Sequence, residues 1–322
     1  MSGLMSYSQT YKPFNYPHYV ERAIDHDSVH WIEHETSLQR DVNQWKDGTV
    51  TPEEKDHITQ ILRLFTQSDE AVGGAYVDVF LPRVKNNEAR MMMLSFAHRE
   101  TIHQRAYALL NDTLGLPESD YSAFLEFEEM AEKIEFMQDF DPDTERGFGL
   151  ALAKTVLNEG VSLFSAFAQL LNYQRPEAGS KMLGMCEVVE WSIRDETLHV
   201  QGMSELFREY CNEHPHIVDD EFKRTIYSMY REAVDLEDRF IDLSFALGGP
   251  KEMTAEETKQ YIRFIADRRL IMLGLKANYG VSNPFPWIDH IVSGDSQKNF
   301  FEGRVTDYNA KGMIGDWNWP EQ

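Results

Sequence analysis

Two carboxylate-x-x-His pairs, Glu100/His103 and Glu196/His199, each stand inside an otherwise apolar helical pattern, and nothing else in the chain restricts its fold as tightly. Residues three apart on an α-helix share a face, so each pair presents one oxygen and one nitrogen in the same direction. A core admits such groups only when their charge and lost hydration are compensated. Asp69 and Glu159 occupy similar apolar stripes on two other predicted helices. Four carboxylates and two imidazoles from four helices form the donor set of a dinuclear metal site inside a helix bundle.

The pattern alone is weak. With 54 acidic residues and 11 histidines among 322 positions, about two Asp/Glu-x-x-His matches arise by chance. The chain has five. Asp27/His30 lies in a polar segment, Glu54/His57 in a charged helix start, and Glu213/His216 is interrupted by Pro215. These three read as solvated. The other two are set apart by their surroundings, MMMLSFA and YALL around Glu100/His103, and VVEWSI and LHVQGM around Glu196/His199.

Hydrophobic residues make up 42% of the chain, ample for a sizeable core. No apolar run approaches the ~18 residues of a membrane span, and the opening MSGLMSYSQTYKPF is not a signal peptide. A soluble, cytoplasmic protein is expected. A net charge of −23 disfavours a nucleic-acid backbone or an anionic membrane as partner. Two cysteines, Cys186 and Cys211, give no disulfide framework and no thiolate metal site.

Residues 1 to 50 read as irregular, with one short helix near Tyr19 to His30. Thr51, Pro52 and Glu54 form a helix start with a capping box. That helix should run to about Phe80, burying Leu62, Phe65, Asp69, Val72 and Tyr76. Further helices are expected over about Val84 to Asn111, Ser119 to Glu135 (amphipathic, on the outside), Gly147 to Tyr173, Gly179 to Glu213, Asp219 to Leu247 and Ala255 to Tyr279. The fold class is therefore all-α, with a core drawn from the helices that bear Asp69, Glu100, Glu159 and Glu196. The domain spans 1–292. Residues 293–322 are rich in Gly, Asp and Asn yet keep Tyr308, Trp317 and Trp319, which suits a flexible tail that docks on another protein.

Two divalent cations balance four carboxylates. Mixed oxygen and imidazole donors suit iron or manganese rather than structural zinc. Tyr107 follows His103 by four residues, about 6 Å along a helix, so its phenol falls near the metals and could be oxidised to a radical. Asp195 can accept a hydrogen bond from a ligand imidazole. Trp31, in HWIEHETSLQRDVNQW, would not be singled out on its own.

Taken together, SDEAVG around Asp69, RETIHQRAY around Glu100, NEGVSLFSAF around Glu159, RDETLH around Glu196, and NPFPW before the tail resemble the small, radical-generating (beta) subunit of class I ribonucleotide reductase, over nearly the whole chain. The resemblance implies a ferritin-like bundle with extra flanking helices. It implies that Asp69, Glu100, His103, Glu159, Glu196 and His199 ligate two metal ions per chain, iron foremost, with manganese or a mixed Mn/Fe pair as alternatives. It implies that the site uses an oxygen species to generate an oxidising equivalent, stored on Tyr107 or on the metals. Trp31, Asp195 and Tyr308 match residues that carry the oxidation outward to the large (alpha) subunit, which reduces ribonucleotides to deoxyribonucleotides for DNA replication. A homodimer that docks on the large subunit through its C-terminal tail is expected, and the family allows an activating flavoprotein.

Two residues depart from the tyrosyl-radical pattern. Leu163 stands where phenylalanine is common, and Ser192 where an aliphatic residue is common. A ferritin-like, ligand-binding oxidase with a mixed Mn/Fe centre would share the six donors but has no use for a radical-transfer tail. A storage or purely structural bundle is a further alternative, separable by assembly size.

Overall fold

The computed structural model describes residues 3–292. Tyr308, Trp317, Trp319 and the expected docking tail 293–322 lie outside the described residues. Among those described, secondary structure is helical and no strand occurs.

Four helices make the centre: α3 (Pro52–Ala75), α4 (Asn87–Leu114), α6 (Glu145–Gly160) and α8 (Leu183–Glu213). α3 packs along α4 and α6 along α8, and the contacts of α4 with α8 and of α3 with α6 close the ring. Small residues permit the close approaches. A Cβ on Gly73 would sit 3.1 Å from Glu100 Cβ, and one on Gly202 would sit 2.7 Å from Met92 Sδ. Around this ring lie α1 (Pro17–Ser28) and α2 (Gln39–Asp47) beside α4 and α8. On other sides lie α5 (Glu128–Gln138), α7 (Phe164–Leu171), α9 (Asp220–Ser244) and α10 (Ala255–Met272). Of the described residues, those up to Pro284 form the body, and α11 (Pro286–Val292) belongs to a second unit that starts at Phe285.

The capping boxes at Thr51/Glu54 and Thr254/Glu257 are both formed, and the buried stripe of α3 is as read from the sequence. The differences have local causes. α2 is a second helix in the segment expected to be irregular. Its sequence, QRDVNQWKD, is too polar to signal burial, yet its Asp41 is buried and accepts from the backbone N–H groups of Gly184 (3.2 Å) and Met185 (2.7 Å). Asp41 thus caps the start of α8, whose own N-cap Met182 has a positive φ of 53° and no side-chain cap. The helix expected over Ser119 to Glu135 begins as two 3₁₀ turns, and α5 proper starts at Glu128.

The helix expected over Gly147 to Tyr173 is broken after Gly160. Leu157 O accepts from both Val161 N (2.8 Å) and Ser162 N (3.2 Å), which widens the turn. Arg269 of α10 donates to the Gly160 carbonyl at 3.2 Å. The last turn of the α3 run likewise widens to a π-helix over Tyr76–Phe80. Such widenings concentrate at functional sites, and here one follows Asp69 and the other follows Glu159.

Glu54/His57 is not solvated. Lys181 Nζ reaches Glu54 at 2.7 and 2.9 Å. His57 is fully buried, with Gln169 Oε1 at 2.9 Å and the Tyr173 hydroxyl at 3.1 Å. Glu213 is half-buried and accepts from the Leu4 N–H and the Tyr16 hydroxyl. Only Asp27/His30 and the exposed His216 fit the solvated reading.

α5 is tied down by a buried ion pair. Lys133 of α5 and Glu237 of α9 are in contact at no more than 1% exposure, Ser165 donates to Glu237, and Lys133 Nζ sits 4.4 Å from the Phe240 ring centre. Burial raises the Glu237 carboxyl and lowers the Lys133 ammonium, each against the pull of its partner. Removing one partner strands the other charge, so Lys133→Met should destabilise the fold by about 3–5 kcal/mol in urea unfolding, whereas the double variant Lys133→Met/Glu237→Leu should recover most of that loss. A loss in the double variant equal to the sum of the losses in Lys133→Met and Glu237→Leu alone would show that the pair is not coupled.

Candidate metal centre

The α3–α4–α8–α6 ring brings all six predicted ligands together. Asp69 comes from α3, Glu100 and His103 from α4, Glu159 from α6, and Glu196 and His199 from α8; none is more than 1% exposed. Their ligand atoms converge in two groups, Asp69/Glu100/His103 and Glu100/Glu159/Glu196/His199, with all atoms of a group within 4.8 Å of one another. Glu100 belongs to both. Its Oε2 lies 3.3 Å from His103 Nδ1, and its Oε1 lies 3.0 Å from His199 Nδ1. Glu196 does the same, with Oε1 3.3 Å from His103 Nδ1 and Oε2 3.2 Å from His199 Nδ1. Two carboxylates therefore span two imidazoles, Asp69 stands on the His103 side, and Glu159 on the His199 side.

The donor set fits a pair of cations. Asp69 Oδ2, both oxygens of Glu100 and of Glu159, Glu196 Oε1 and His103 Nδ1 are buried and make no hydrogen bond. The contacts of 3.0–3.3 Å that some of them make lie off hydrogen-bonding geometry, so their lone pairs converge without donors. Burial pushes Asp69 and Glu159 well above the usual carboxylate range. Burial would also raise Glu100, but His103 and His199 pull it down to about 2. Burial lowers the basicity of His199, yet Glu196 and Glu100 hold it at about 10. Left to themselves these groups share protons. Two divalent cations offer the charge balance of four ionised carboxylates and two neutral imidazoles, and oxygen with imidazole donors and no thiolate favours iron or manganese.

Each imidazole offers Nδ1 to the site and Nε2 to an outer partner. His103 Nε2 lies 3.2 Å from Asp195 Oδ2. The same oxygen accepts from Trp31 Nε1–H at 2.7 Å and pairs with Arg99 at 2.8 Å, while Arg194 reaches Asp195 Oδ1 at 3.2 Å. Burial would raise Asp195, but Arg99, the His103 hydrogen bond and Arg194 hold it well below the usual range. Trp31 is fully buried, and its ring stacks on His103 with centroids 5.8 Å apart. Asp195 and Trp31 thus both touch His103, one at Nε2 and one across the ring face.

His26, missed from sequence, serves His199. The two Nε2 atoms are 3.1 Å apart, His26 Nδ1 is 2.7 Å from Ser95 Oγ, and Ser95 donates to Asp27 Oδ1 at 2.5 Å. If His199 keeps Nδ1 for a cation, its Nε2–H donates to His26, whose Nδ1–H then donates to Ser95. Burial holds the His26 imidazole neutral, as that direction requires. Tyr76, read only as core, has its phenol raised by burial and by the charge of Glu159. Arg99, Arg194 and His26 gave no sequence signal beyond an unusual charge or imidazole near an apolar run.

Tyr107 is fully buried in aromatic surroundings against α3. Phe65 lies face to face with it at 4.5 Å and 7°, and Phe167 stacks on Phe65 at 5.3 Å. The Tyr107 hydroxyl donates to Ser192 Oγ at 3.0 Å, and Ser192 donates to Val188 O at 3.0 Å. Burial and then Asp69 raise the phenol well above its ordinary pKa. Leu163 is buried and is the N-cap of α7.

The chain matches the family model for ribonucleotide reductase, small chain, over residues 8–284. It is 37% identical to a probable ribonucleoside-diphosphate reductase small subunit from Invertebrate iridescent virus 3, across 98% of this chain and 88% of that one. Its fold resembles the ribonucleotide reductase R2 subunit from Clostridium botulinum, with a TM-score of 0.79, 21% identity, and coverage of 88% and 91% of the two chains. It also resembles the Rnr4 homodimer protein from Saccharomyces cerevisiae, with a TM-score of 0.75, 19% identity, and coverage of 95% and 92%.

Cations at this site must displace protons from Asp69, Glu159 and the imidazoles. Those groups are held protonated in the folded chain, so binding of Fe(II) or Mn(II) should release protons, and apparent affinity should rise with pH between about 6 and 8. Calorimetry in buffers of different ionisation enthalpy measures the release. Two ions per chain are expected, and at a hundredfold excess over Kd each bound ion should raise unfolding stability by about 2.7 kcal/mol. PH-independent affinity, or one ion per chain, would contradict the two-cation assignment.

Proposed function

We infer how this chain works from the premise that it belongs to the ribonucleotide reductase small-chain family. It is a small subunit of ribonucleotide reductase, the beta part of an oxidoreductase. The observation that carries the detailed reading is the convergence of six buried donors into two groups sharing Glu100. We propose that Asp69, Glu100, His103, Glu159, Glu196 and His199 hold two metal ions, with Glu100 and Glu196 spanning them. Iron is the first assignment, and manganese or a mixed pair is compatible with the same donors. When bound, the metal pair supplies one-electron oxidising power drawn from an oxygen species.

The side chains divide the remaining work. Tyr107 stores the oxidising equivalent: Phe65 and burial keep water from its ring, and Ser192 holds the phenol proton in one direction. At the Nε2 edge of His103, Asp195 stays ionised beside Arg99 and Arg194 and holds the Trp31 indole proton at Oδ2. A carboxylate so placed can take more of that proton as the indole loses an electron. Trp31 and Asp195 thereby couple the ligand His103 to the outward path, and Tyr308 in the tail completes it. The family membership implies a large-subunit partner. The C-terminal tail as docking element, a homodimer like that named for the yeast relative, an activating flavoprotein and a cytoplasmic location belong to the same proposal. Among the described residues no helix is long and apolar enough to cross a membrane. No feature of the site favours a ligand-binding oxidase or a storage bundle.

Electron paramagnetic resonance after aerobic metal loading tests the storage role. Wild type should give a phenoxyl doublet; Tyr107→Phe should lose it and, assayed with the large subunit, should lose about 10³-fold or more in activity, roughly 4 kcal/mol of barrier. A multiline manganese signal with activity surviving in Tyr107→Phe would move storage onto the metals. Truncation after Val292 should leave metal binding and the radical intact but abolish activation of the large subunit; full activity of the truncated chain would exclude the tail from docking and transfer.

A further inference from the structure

The helix that carries Glu159 breaks just after it, and a side chain from another helix stands across the break. In an unbroken α-helix the Phe164 N–H would bond the Gly160 carbonyl. Here that N–H turns to Val161 O at 3.1 Å, and the Ser162 N–H reaches past Asn158 to Leu157 O at 3.2 Å. The Gly160 carbonyl, deprived of its helical donor, accepts from Arg269 Nε–H of α10 at 3.2 Å. The same guanidinium lies 4.8 Å from the ring centre of Phe164. Arg269 therefore grips both ends of the break, the last residue of α6 and the first of α7. Glycine at 160 permits this, since a Cβ there would sit 2.8 Å from Arg269 Nε and 3.0 Å from Val200 Cγ2. Arg269 is 4% exposed, and the titratable groups that bear on it among the described residues are Arg268, Tyr230 and Tyr261, not a carboxylate. Burying a guanidinium without a counter-charge is costly, which sets Arg269 apart from an ordinary packing residue.

We propose that Arg269 is a positioning residue for Glu159: it holds the turn after Glu159 open and so keeps that carboxylate aimed at the cation it would share with Glu100, Glu196 and His199. The inference rests on the reading above that those four donors hold a metal ion. The Gly160 carbonyl has two candidate donors. With Arg269 in place it takes the guanidinium, and the break persists. Without Arg269 it becomes a buried acceptor in need of a partner, and the Phe164 N–H can serve only if the chain rewinds to a regular helix. Rewinding takes the extra residue out of the turn, which rotates one side of it against the other by about 100°. Phe167 of α7 is stacked on Phe65 of α3, so part of that rotation falls on the end of α6, where Glu159 stands. Asp69, Glu100 and His103 lie on α3 and α4, away from the break, so the other cation keeps its donors. Arg269 thus acts through the backbone of Gly160, with no bond of its own to the six donors.

The test loads the full-length chain with Mn(II) without oxygen, and reads affinity by titration calorimetry and ion pairing by electron paramagnetic resonance. Wild type should bind two ions and show the spectrum of a coupled Mn(II) pair. Arg269→Leu should weaken one ion by about 10- to 100-fold and leave the other unchanged, so that the spectrum of isolated Mn(II) replaces the coupled one. Metal-free Arg269→Leu should unfold in urea no more easily than wild type, because an unpaired buried charge has been exchanged for an apolar chain. A purely structural residue would instead lower that stability and both affinities together. Gly160→Ala, which displaces the guanidinium with one methyl group, should weaken the same ion. Arg269→Lys, which can still donate to the carbonyl, should recover part of the affinity. Glu159→Gln should weaken that ion too, and adding Arg269→Leu to it should cost little more. Wild-type affinities for both ions in Arg269→Leu overturn the positioning role, as do equal losses of both ions, an unfolded variant, or additive losses with Glu159→Gln. A single ion in wild type overturns the two-cation reading itself.

Discussion

Four carboxylates in the middle of a helix bundle set the terms for everything around them. Each buried ion costs several kcal/mol unless something of opposite charge sits beside it. The chain places two imidazoles between the carboxylates, and Glu100 and Glu196 each face both. Hydrogen bonds satisfy that arrangement only in part: His199 Nδ1 meets Glu196 Oε2 at 3.2 Å, while both oxygens of Glu100 and of Glu159 are buried and make none. The geometry is therefore organised for cations. The four central helices, the small residues that bring α3 against α4 and α4 against α8, and the widened turns after Asp69 and Glu159 all serve to hold those donors in one place.

How much of this was legible in the sequence depends on the range of the interaction. Glu100/His103 and Glu196/His199 could be read because both members of each pair lie within one helical turn, and Asp69 because it interrupts a buried stripe that is otherwise apolar. Contacts made across the fold left no such trace. His26 meets His199 from 173 positions away, and Asp195 meets Trp31 from 164. The same limit explains the misreading of Glu54/His57. Its local context is charged, while Lys181, Gln169 and Tyr173, which bury and satisfy it, arrive from distant segments. α2 was hidden because its stability comes from Asp41 capping α8 rather than from an apolar face of its own. The break after Gly160 was hidden because the apolar pattern continues straight through it.

On the proposed roles, the surroundings of Tyr107 and of Trp31 differ in what they let an oxidising equivalent do. On the Tyr107 face, stacked phenyl rings and a single fixed hydroxyl partner offer no base to receive the phenol proton cheaply. Ser192 already donates to Val188 O and is far too weak a base to be protonated. That face suits retention. On the Trp31 face, an ionised carboxylate flanked by two guanidinium groups accepts from the indole and from the ligand imidazole at one oxygen, so electron and proton movements there share a single atom. That face suits transit.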